Sequence, residues 1–225
     1  MQADKPIGEK LGRSRRVLAA IGIVWIFALT VGLRAMLNYE DGPAEPGEPP
    51  TEWPKDSRVS RAPGLPTVVV FAHPKCPCTD ATIGELSILM TRLQGKATAA
   101  VVFVRPVNFP DDWEKTGLWH NAEAIPGVKV FSDPGGVEAR RFGAQASGQT
   151  ILYDPLGRIR FSGGITGSRG HSGDNAGRTA IVSFVTMGVA KTERTSVFGC
   201  SLHDPTTRAD KGEASWLKSL WTRHQ

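Results

Sequence analysis

The sequence has few cysteines, and their number and spacing exclude two common classes of protein. Only three occur among 225 residues: Cys76, Cys78 and Cys200. Three are too few for a miniprotein held together by several disulfides. They also lack the four-ligand spacing of a structural zinc site. A close pair with one distant cysteine is instead typical of redox chemistry.

Other functional patterns are missing as well. The chain has no P-loop, no dinucleotide-binding motif and no Ser/His/Asp hydrolase pattern. The formal net charge is +5, but five Lys and Arg residues fall within residues 1–16. No basic stripe with interleaved aromatic residues follows, so we expect no nucleic-acid partner.

A long uncharged segment predicts a membrane helix. Residues 17–33 contain no charged residue, and as a helix they would measure about 25 Å. Basic residues precede this segment, whereas residues 35–54 hold five acidic residues and no Lys or Arg. The positive-inside rule therefore places the basic segment 1–16 in the cytoplasm. We predict an uncleaved single-pass anchor over 17–37 in the inner (cytoplasmic) membrane, with the main domain extracytoplasmic, in the periplasm. A cleaved signal peptide is the competing interpretation.

Residues 38–66 have the composition of a tether. Seven of the sixteen prolines lie from Pro43 to Pro66, mixed with Gly and Glu. This composition favours an extended, semi-stiff spacer over a packed element. Trp53 lies within it, and the sequence does not decide whether Trp53 touches the membrane interface or the domain.

Strands and helices alternate over residues 67–190, which predicts an α/β domain with parallel strands, crossover helices and one antiparallel hairpin. Residues 191–225 form a less regular C-terminal extension. The predicted strands cover residues 67–71, 97–104, 128–131, 149–153 and 158–161, and the predicted helices cover 79–93, 111–124, 135–142, 178–190 and 214–221.

The order strand, cysteine turn, helix, strand, and then a hairpin and a last helix resembles the thioredoxin superfamily. Residues 68–86 and 142–161 carry this resemblance. The chain looks like the membrane-anchored, extracytoplasmic TlpA- and ResA-like redoxins. The Cys-Pro-Cys sequence and the glycine-rich loop after Gly163 are similar to proteins labelled RedB.

The resemblance implies a thioredoxin-like sheet with flanking helices, and a thiol-disulfide oxidoreductase that needs no cofactor. Its partners would be protein thiols or disulfides and a separate redox protein. Two features depart from the family pattern. The cysteines are spaced Cys-x-Cys rather than Cys-x-x-Cys, and Gly148 stands where the family places a cis-proline.

Cys76 and Cys78 are the predicted catalytic residues. Pro77 as the first helical residue would place Cys76 at the helix N-cap. The helix dipole and free N–H groups there favour a thiolate. We therefore expect Cys76 to be an exposed attacking thiol with a lowered pKa, and Cys78 to be the resolving thiol. The sequence does not decide whether the pair acts as oxidant or reductant.

Three further residues are predicted to assist. Cys200 offers a second route, as partner or resolver of either cysteine. His73, directly after the first strand, is placed to tune the thiol pKa. In a thioredoxin-like fold the loop before the last helix lies beside the cysteine turn, which would bring His171 near it.

Two other interpretations stay open. Cys76, Cys78 and His73, with Cys200 or His171, have the soft donors that Cu(I) prefers, so the chain could be a copper-binding or metallochaperone-type protein. Alternatively, the domain is a catalytically inert thioredoxin-like module that binds a partner protein.

Overall fold

A computed structural model describes residues 7–45 and 47–203, with side chains from Arg15 onward. The chain divides into two compact units, one ending at Gly42 and the other beginning at Pro43. The helix predicted over 214–221 lies outside the described residues.

The first unit is a single helix, α1 (Ile7–Glu40). Its stretch Arg15–Glu40 is 26 residues long, and its apolar side chains are exposed. At about 1.5 Å per residue this stretch exceeds the thickness of a bilayer core of about 30 Å. By length and composition, α1 is therefore able to cross a membrane.

The second unit is built on a five-stranded sheet in the order β3-β2-β1-β4-β5. Strands β1 to β3 run parallel, and β4 and β5 form an antiparallel hairpin that pairs with β1. This is the predicted α/β, thioredoxin-like sheet with flanking helices. The elements are β1 (Thr67–Ala72), α2 (Pro77–Arg92), β2 (Thr98–Arg105), α3 (Gly117–Glu123), β3 (Val128–Pro134), α4 (Val137–Arg141), β4 (Thr150–Tyr153), β5 (Ile159–Gly163) and α5 (Ala176–Met187).

The central strand β1 is buried on both faces, which explains its continuous apolar sequence. Val68 and Val70 pack into one core with α2, α3 and α5. Val69 and Phe71 point to the opposite face and pack with Phe142 at the end of α4. The cysteine turn follows directly after this rigid strand.

Two predicted helices are shorter than expected. The helix predicted over 111–124 begins only at Gly117, because the preceding Thr116 is extended and serves as the N-cap. Further upstream, Asp112 is left-handed with φ of 76°. The helix predicted over 135–142 begins at Val137, because Gly135 and Gly136 are both left-handed. The Asp133 carboxylate then accepts hydrogen bonds from the first N–H groups of α4.

The expected spacer over 38–66 needs correction, because residues 47–66 pack on the domain. The Trp53 ring lies 5.1 Å from the rings of Phe142 and Tyr153, and Val59 is buried in the same core. The Tyr153 hydroxyl donates to the carbonyl of Pro50. Helix α4 has only five residues, so this segment covers sheet surface that α4 leaves open.

Replacing Trp53 is therefore expected to destabilise the domain. Trp53→Ala would leave a cavity between two aromatic rings and lower the free energy of unfolding by about 3 kcal/mol. Thermal unfolding of the full chain in detergent measures this. Leu156→Ala, at a turn residue that is 73% exposed, is the control and should change stability by less than about 0.5 kcal/mol. If Trp53→Ala and Leu156→Ala both changed the free energy of unfolding only slightly, the segment would be the free spacer first predicted.

Candidate active site

The cysteine turn lies at the carboxyl end of β1. Cys76 is the N-cap of α2 and Pro77 its first residue, as predicted from the sequence. The Cys76 backbone is extended, and its side chain stands beside the N–H groups of the first helical turn. This position favours a thiolate on Cys76.

A hydrogen-bond network holds this turn against the loop before β4. The Ser147 hydroxyl accepts from the backbone N–H of His73 at 2.9 Å and lies 2.7 Å from the Thr79 hydroxyl. Thr79 in turn donates to the carbonyl of His73. These three residues fix the loop and the cysteine turn relative to each other.

The segment after α5 brings Cys200 to the same place. Its residues 193–196 hydrogen-bond along the edge of β5. It then pairs antiparallel with the loop before β4, where the Ser147 N–H donates to the Cys200 carbonyl at 2.8 Å and the Leu202 N–H donates to the Gln145 carbonyl at 3.0 Å. Gly199 is required here, since a Cβ would lie 1.9 Å from the Ser147 carbonyl oxygen. Backbone contacts therefore hold Cys200 in place.

The sulfur atoms of Cys76 and Cys200 lie 2.7 Å apart, and all three cysteines are free thiols. The Cys200 segment covers Cys76, which is only 1% exposed, whereas Cys78 and Cys200 are partly exposed. The expectation of an exposed Cys76 is therefore wrong. Cys200, separated from Cys76 by 124 positions, thus contacts its sulfur directly.

The surroundings of the three thiols shift their pKa values in different directions. Burial opposes ionisation of Cys76, but hydrogen bonds from the Cys200 thiol and from the backbone N–H groups of Cys200, Cys78 and Thr79 outweigh it, so the pKa of Cys76 is lowered. Burial and the neighbouring Cys76 raise the pKa of both Cys78 and Cys200. Cys76 is thus the thiol that ionises first, as the sequence predicted.

The glycine-rich loop between β5 and α5 contributes Arg169 to the site. The Arg169 guanidinium donates to the Gly199 carbonyl at 2.8 Å and lies within hydrogen-bonding reach of the Cys78 thiol. The end of this loop is held to α2 by the buried Glu85. Its carboxylate accepts from the backbone N–H of Gly173 at 2.7 Å and pairs with the buried Arg178.

The structure also gives the surroundings of the other predicted residues, His73, His171 and Gly148. The His73 ring packs edge-on against Trp113, and burial and then the charge of Lys75 lower its pKa. His171 is exposed, with Nδ1 2.8 Å from the Arg169 carbonyl oxygen. Gly148 has φ of 89°, and a Cβ there would lie 3.0 Å from the Thr82 hydroxyl, so glycine suits this position.

Within residues 7–45 and 47–203, no group of three or more His, Cys, Asp or Glu side chains is arranged to hold a metal ion. A cleft of about 670 Å³ borders the site. It is lined by His73, Ser201 and His203 among others. It therefore opens beside the segment that carries Cys200.

Sequence reasoning missed Arg169, Glu85, Ser147 and Thr79. Arg169 is the one cation within the glycine-rich loop over residues 163–177, which is a usable signal for a site residue. Glu85 interrupts the apolar face of α2, and a buried carboxylate needs a partner. Ser147 and Thr79 carry no comparable signal, because their roles arise from contacts between separate segments.

Comparison with models of protein families finds no match, and no curated protein matches in sequence. A hypothetical protein of Sinorhizobium meliloti 1021 is similar in structure, with a TM-score of 0.52 and 17% identity, over 62% of this chain and 79% of that one. An uncharacterized conserved protein from Geobacillus kaustophilus has a TM-score of 0.54 and 16% identity, over 73% of this chain and 93% of that one. A secreted disulfide oxidoreductase of Mycobacterium tuberculosis has a TM-score of 0.36 and 20% identity, over 43% of this chain and 67% of that one. The first two likenesses show the shared fold alone.

Proposed function

We propose that this chain is a membrane-anchored, extracytoplasmic thiol-disulfide oxidoreductase that acts on protein thiols or disulfides, and that its exchanging pair is Cys76 and Cys200. The observation that carries the proposal is the 2.7 Å approach of the two sulfur atoms at the N-terminus of α2. Helix α1 would anchor the domain in the inner membrane with its N-terminus in the cytoplasm.

The geometry favours a particular order of events in the oxidising direction. A client thiolate attacks the Cys200 sulfur of a Cys76–Cys200 disulfide, because Cys200 is partly exposed and Cys76 is covered. The Cys76–Cys200 bond breaks, and Cys76 leaves as the thiolate that its backbone donors stabilise. A thiol of low pKa is the better leaving group. A second client thiolate then displaces Cys200, so the client gains a disulfide and the enzyme gains two electrons.

The same contacts support one direction of exchange over the other. Hydrogen bonds to the Cys76 thiolate stabilise the reduced form, and a stabilised reduced form makes a disulfide more oxidising. We propose that the chain oxidises client thiols and is reoxidised by a separate redox protein.

The pH dependence of oxidation tests this assignment. In the Cys78→Ser variant, glutathione disulfide should first form a mixed disulfide with the accessible Cys200, and the Cys76 thiolate should then displace the glutathione. The rate of this closing step should decline only below the lowered pKa of Cys76, so its midpoint should lie below 9.0, the ordinary thiol value. Samples quenched by alkylation at successive times and analysed by peptide mapping would follow the formation of the Cys76–Cys200 disulfide. Cys76→Ser is the control. A midpoint at or above the ordinary value, or a product without Cys200, would contradict the proposal.

Copper binding through Cys76, Cys78 and His73 remains a prediction from the sequence. The packing of the His73 ring on Trp113 gives it no added support. Titration of the reduced chain with Cu(I) distinguishes the two functions, because an exchange enzyme requires no stoichiometric copper site.

A further inference from the structure

A single side chain connects the two partly exposed cysteines. Arg169 Nη1 donates to the carbonyl of Gly199, the residue directly before Cys200, at 2.8 Å. The positive charge of the same guanidinium acts on the Cys78 thiol and lowers its pKa. Arg169 therefore holds the segment that presents Cys200 and also acts on the thiol that is left over when Cys76 and Cys200 combine.

The loop that carries Arg169 is anchored to the helix that carries the cysteine pair. Glu85, on α2, is fully buried and accepts from the Gly173 N–H and from the Asn175 amide, and it also pairs with Arg178. A loop fixed in this way presents Arg169 at a defined position over the N-terminus of α2. Tertiary contacts at the end of this loop therefore help to set the position of Arg169.

We propose that Arg169 is a positioning residue with two tasks: it holds the Cys200 strand against Cys76, and it supplies the positive charge beside Cys78 once that pair has closed. The inference rests on the proposed function. The inference extends that function, because it makes Cys78 a reactive thiol beside the closed Cys76–Cys200 disulfide.

The charges that face Cys78 change during the reaction. In the reduced protein, burial and the Cys76 thiolate raise the pKa of Cys78, and Arg169 lowers it. Cys200, whose own pKa is raised, remains a neutral thiol. When Cys76 forms a disulfide with Cys200, the negative charge of Cys76 is removed and the charge of Arg169 stays. Closing the pair thus makes Cys78 the thiol that Arg169 stabilises as a thiolate.

The first task is tested by equilibrium with glutathione, using the full chain in detergent. Cys200 attacks glutathione disulfide and releases one glutathione, and the Cys76 thiolate then attacks the Cys200 sulfur and displaces the second to close the pair. In Arg169→Gln the Cys76–Cys200 disulfide should be about tenfold less favoured, because a hydrogen bond from a charged donor to Gly199 is lost. Arg92→Gln, an exposed arginine in the last turn of α2, is the control and should match the wild-type chain.

The second task is tested in a Cys76→Ser/Cys200→Ser background, where Cys78 is the one remaining thiol. There Arg169→Gln should move the pH profile of Cys78 alkylation to higher pH and slow the reaction near neutral pH about tenfold, which corresponds to about one pKa unit. Arg169→Lys keeps the charge and should restore most of the wild-type profile. A merely structural role would not be rescued in this way.

The outcomes separate the two proposals. If the wild-type chain forms no Cys76–Cys200 disulfide, the proposed exchange pair fails, while the alkylation profile still measures the effect of Arg169 on Cys78. If Arg169→Gln changes neither the glutathione equilibrium nor the alkylation profile, the role of Arg169 is overturned. If Arg169→Gln changes only the glutathione equilibrium, the role of Arg169 beside Cys78 is overturned. If it changes only the alkylation profile, its role in holding Cys200 against Cys76 is overturned.

Discussion

Cys76→Ser and Cys200→Ser should each reduce the oxidation of a dithiol client peptide to the background rate, whereas Cys78→Ser should retain most of the activity. Loss of either member of the exchanging pair leaves no disulfide to accept two electrons from the client. Cys78, by contrast, is a bystander in the transfer itself. This is the largest functional effect expected for any substitution in the chain.

The experiment uses the full chain in detergent, preoxidised with glutathione disulfide, and follows client disulfide formation by mass spectrometry. Peptide mapping of each variant identifies the disulfide that forms. Activity that survives in Cys200→Ser but is lost in Cys78→Ser would return the chemistry to the Cys-Pro-Cys pair. If all three variants oxidise the peptide at the wild-type rate, the inert binding module becomes the better interpretation.

Glu85→Ala should be the most destabilising single substitution outside the apolar core. It would leave the Arg178 guanidinium, whose side chain is 4% exposed, without its buried carboxylate partner, so that among the described residues only the exposed Asp174 carboxylate still pairs with it. Breaking a buried pair in this way costs about 3–5 kcal/mol of the free energy of unfolding. The glycine-rich loop should loosen as well, because Gly173 and Asn175 lose the same acceptor.

Asp174→Ala is the matched control, since Asp174 contacts the same Arg178 but its side chain is 98% exposed. An exposed ion pair is worth at most about 1 kcal/mol, so this change should be small. Thermal unfolding in detergent, followed by near-ultraviolet circular dichroism, compares the two variants. The double variant Glu85→Met/Arg178→Met should recover much of the stability, because it removes the unpaired charge. Equal effects of the two single substitutions would show that Glu85 is not the main partner of Arg178.

The segment before β1 and the start of α3 show where sequence patterns mislead. Proline, glycine and glutamate in residues 43–66 indicated a spacer, but composition cannot report that Trp53 fills a gap between Phe142 and Tyr153. Likewise, apolar spacing over 111–124 indicated one helix, but the left-handed Asp112 and the extended Thr116 keep its first residues out of α3. In both places a tertiary contact or the local backbone conformation overrides the apolar pattern.

The hairpin and the last helix show where such patterns succeed. The hairpin predicted from the sequence turns at Asp154-Pro155-Leu156-Gly157, a sequence typical of tight turns, and the Gly157 N–H donates to the Asp154 carbonyl. The last helix begins after Asn175, a residue type that favours N-caps, and its side chain accepts from the Arg178 N–H at 2.7 Å. These features depend on residues close in sequence, so their local chemistry suffices.

By itself, the sequence determined the order of strands and helices, the apolar N-terminal helix and the placement of Cys76 and Pro77 at the start of α2. Each of these depends on hydrophobic periodicity or on the chemistry of a few adjacent residues. Only the tertiary structure decided that Cys200 meets Cys76, that this contact buries Cys76, and that Arg169 lies beside Cys78. These contacts join residues far apart in the chain, and they depend on how backbone segments pair across the fold rather than on any pattern within one segment.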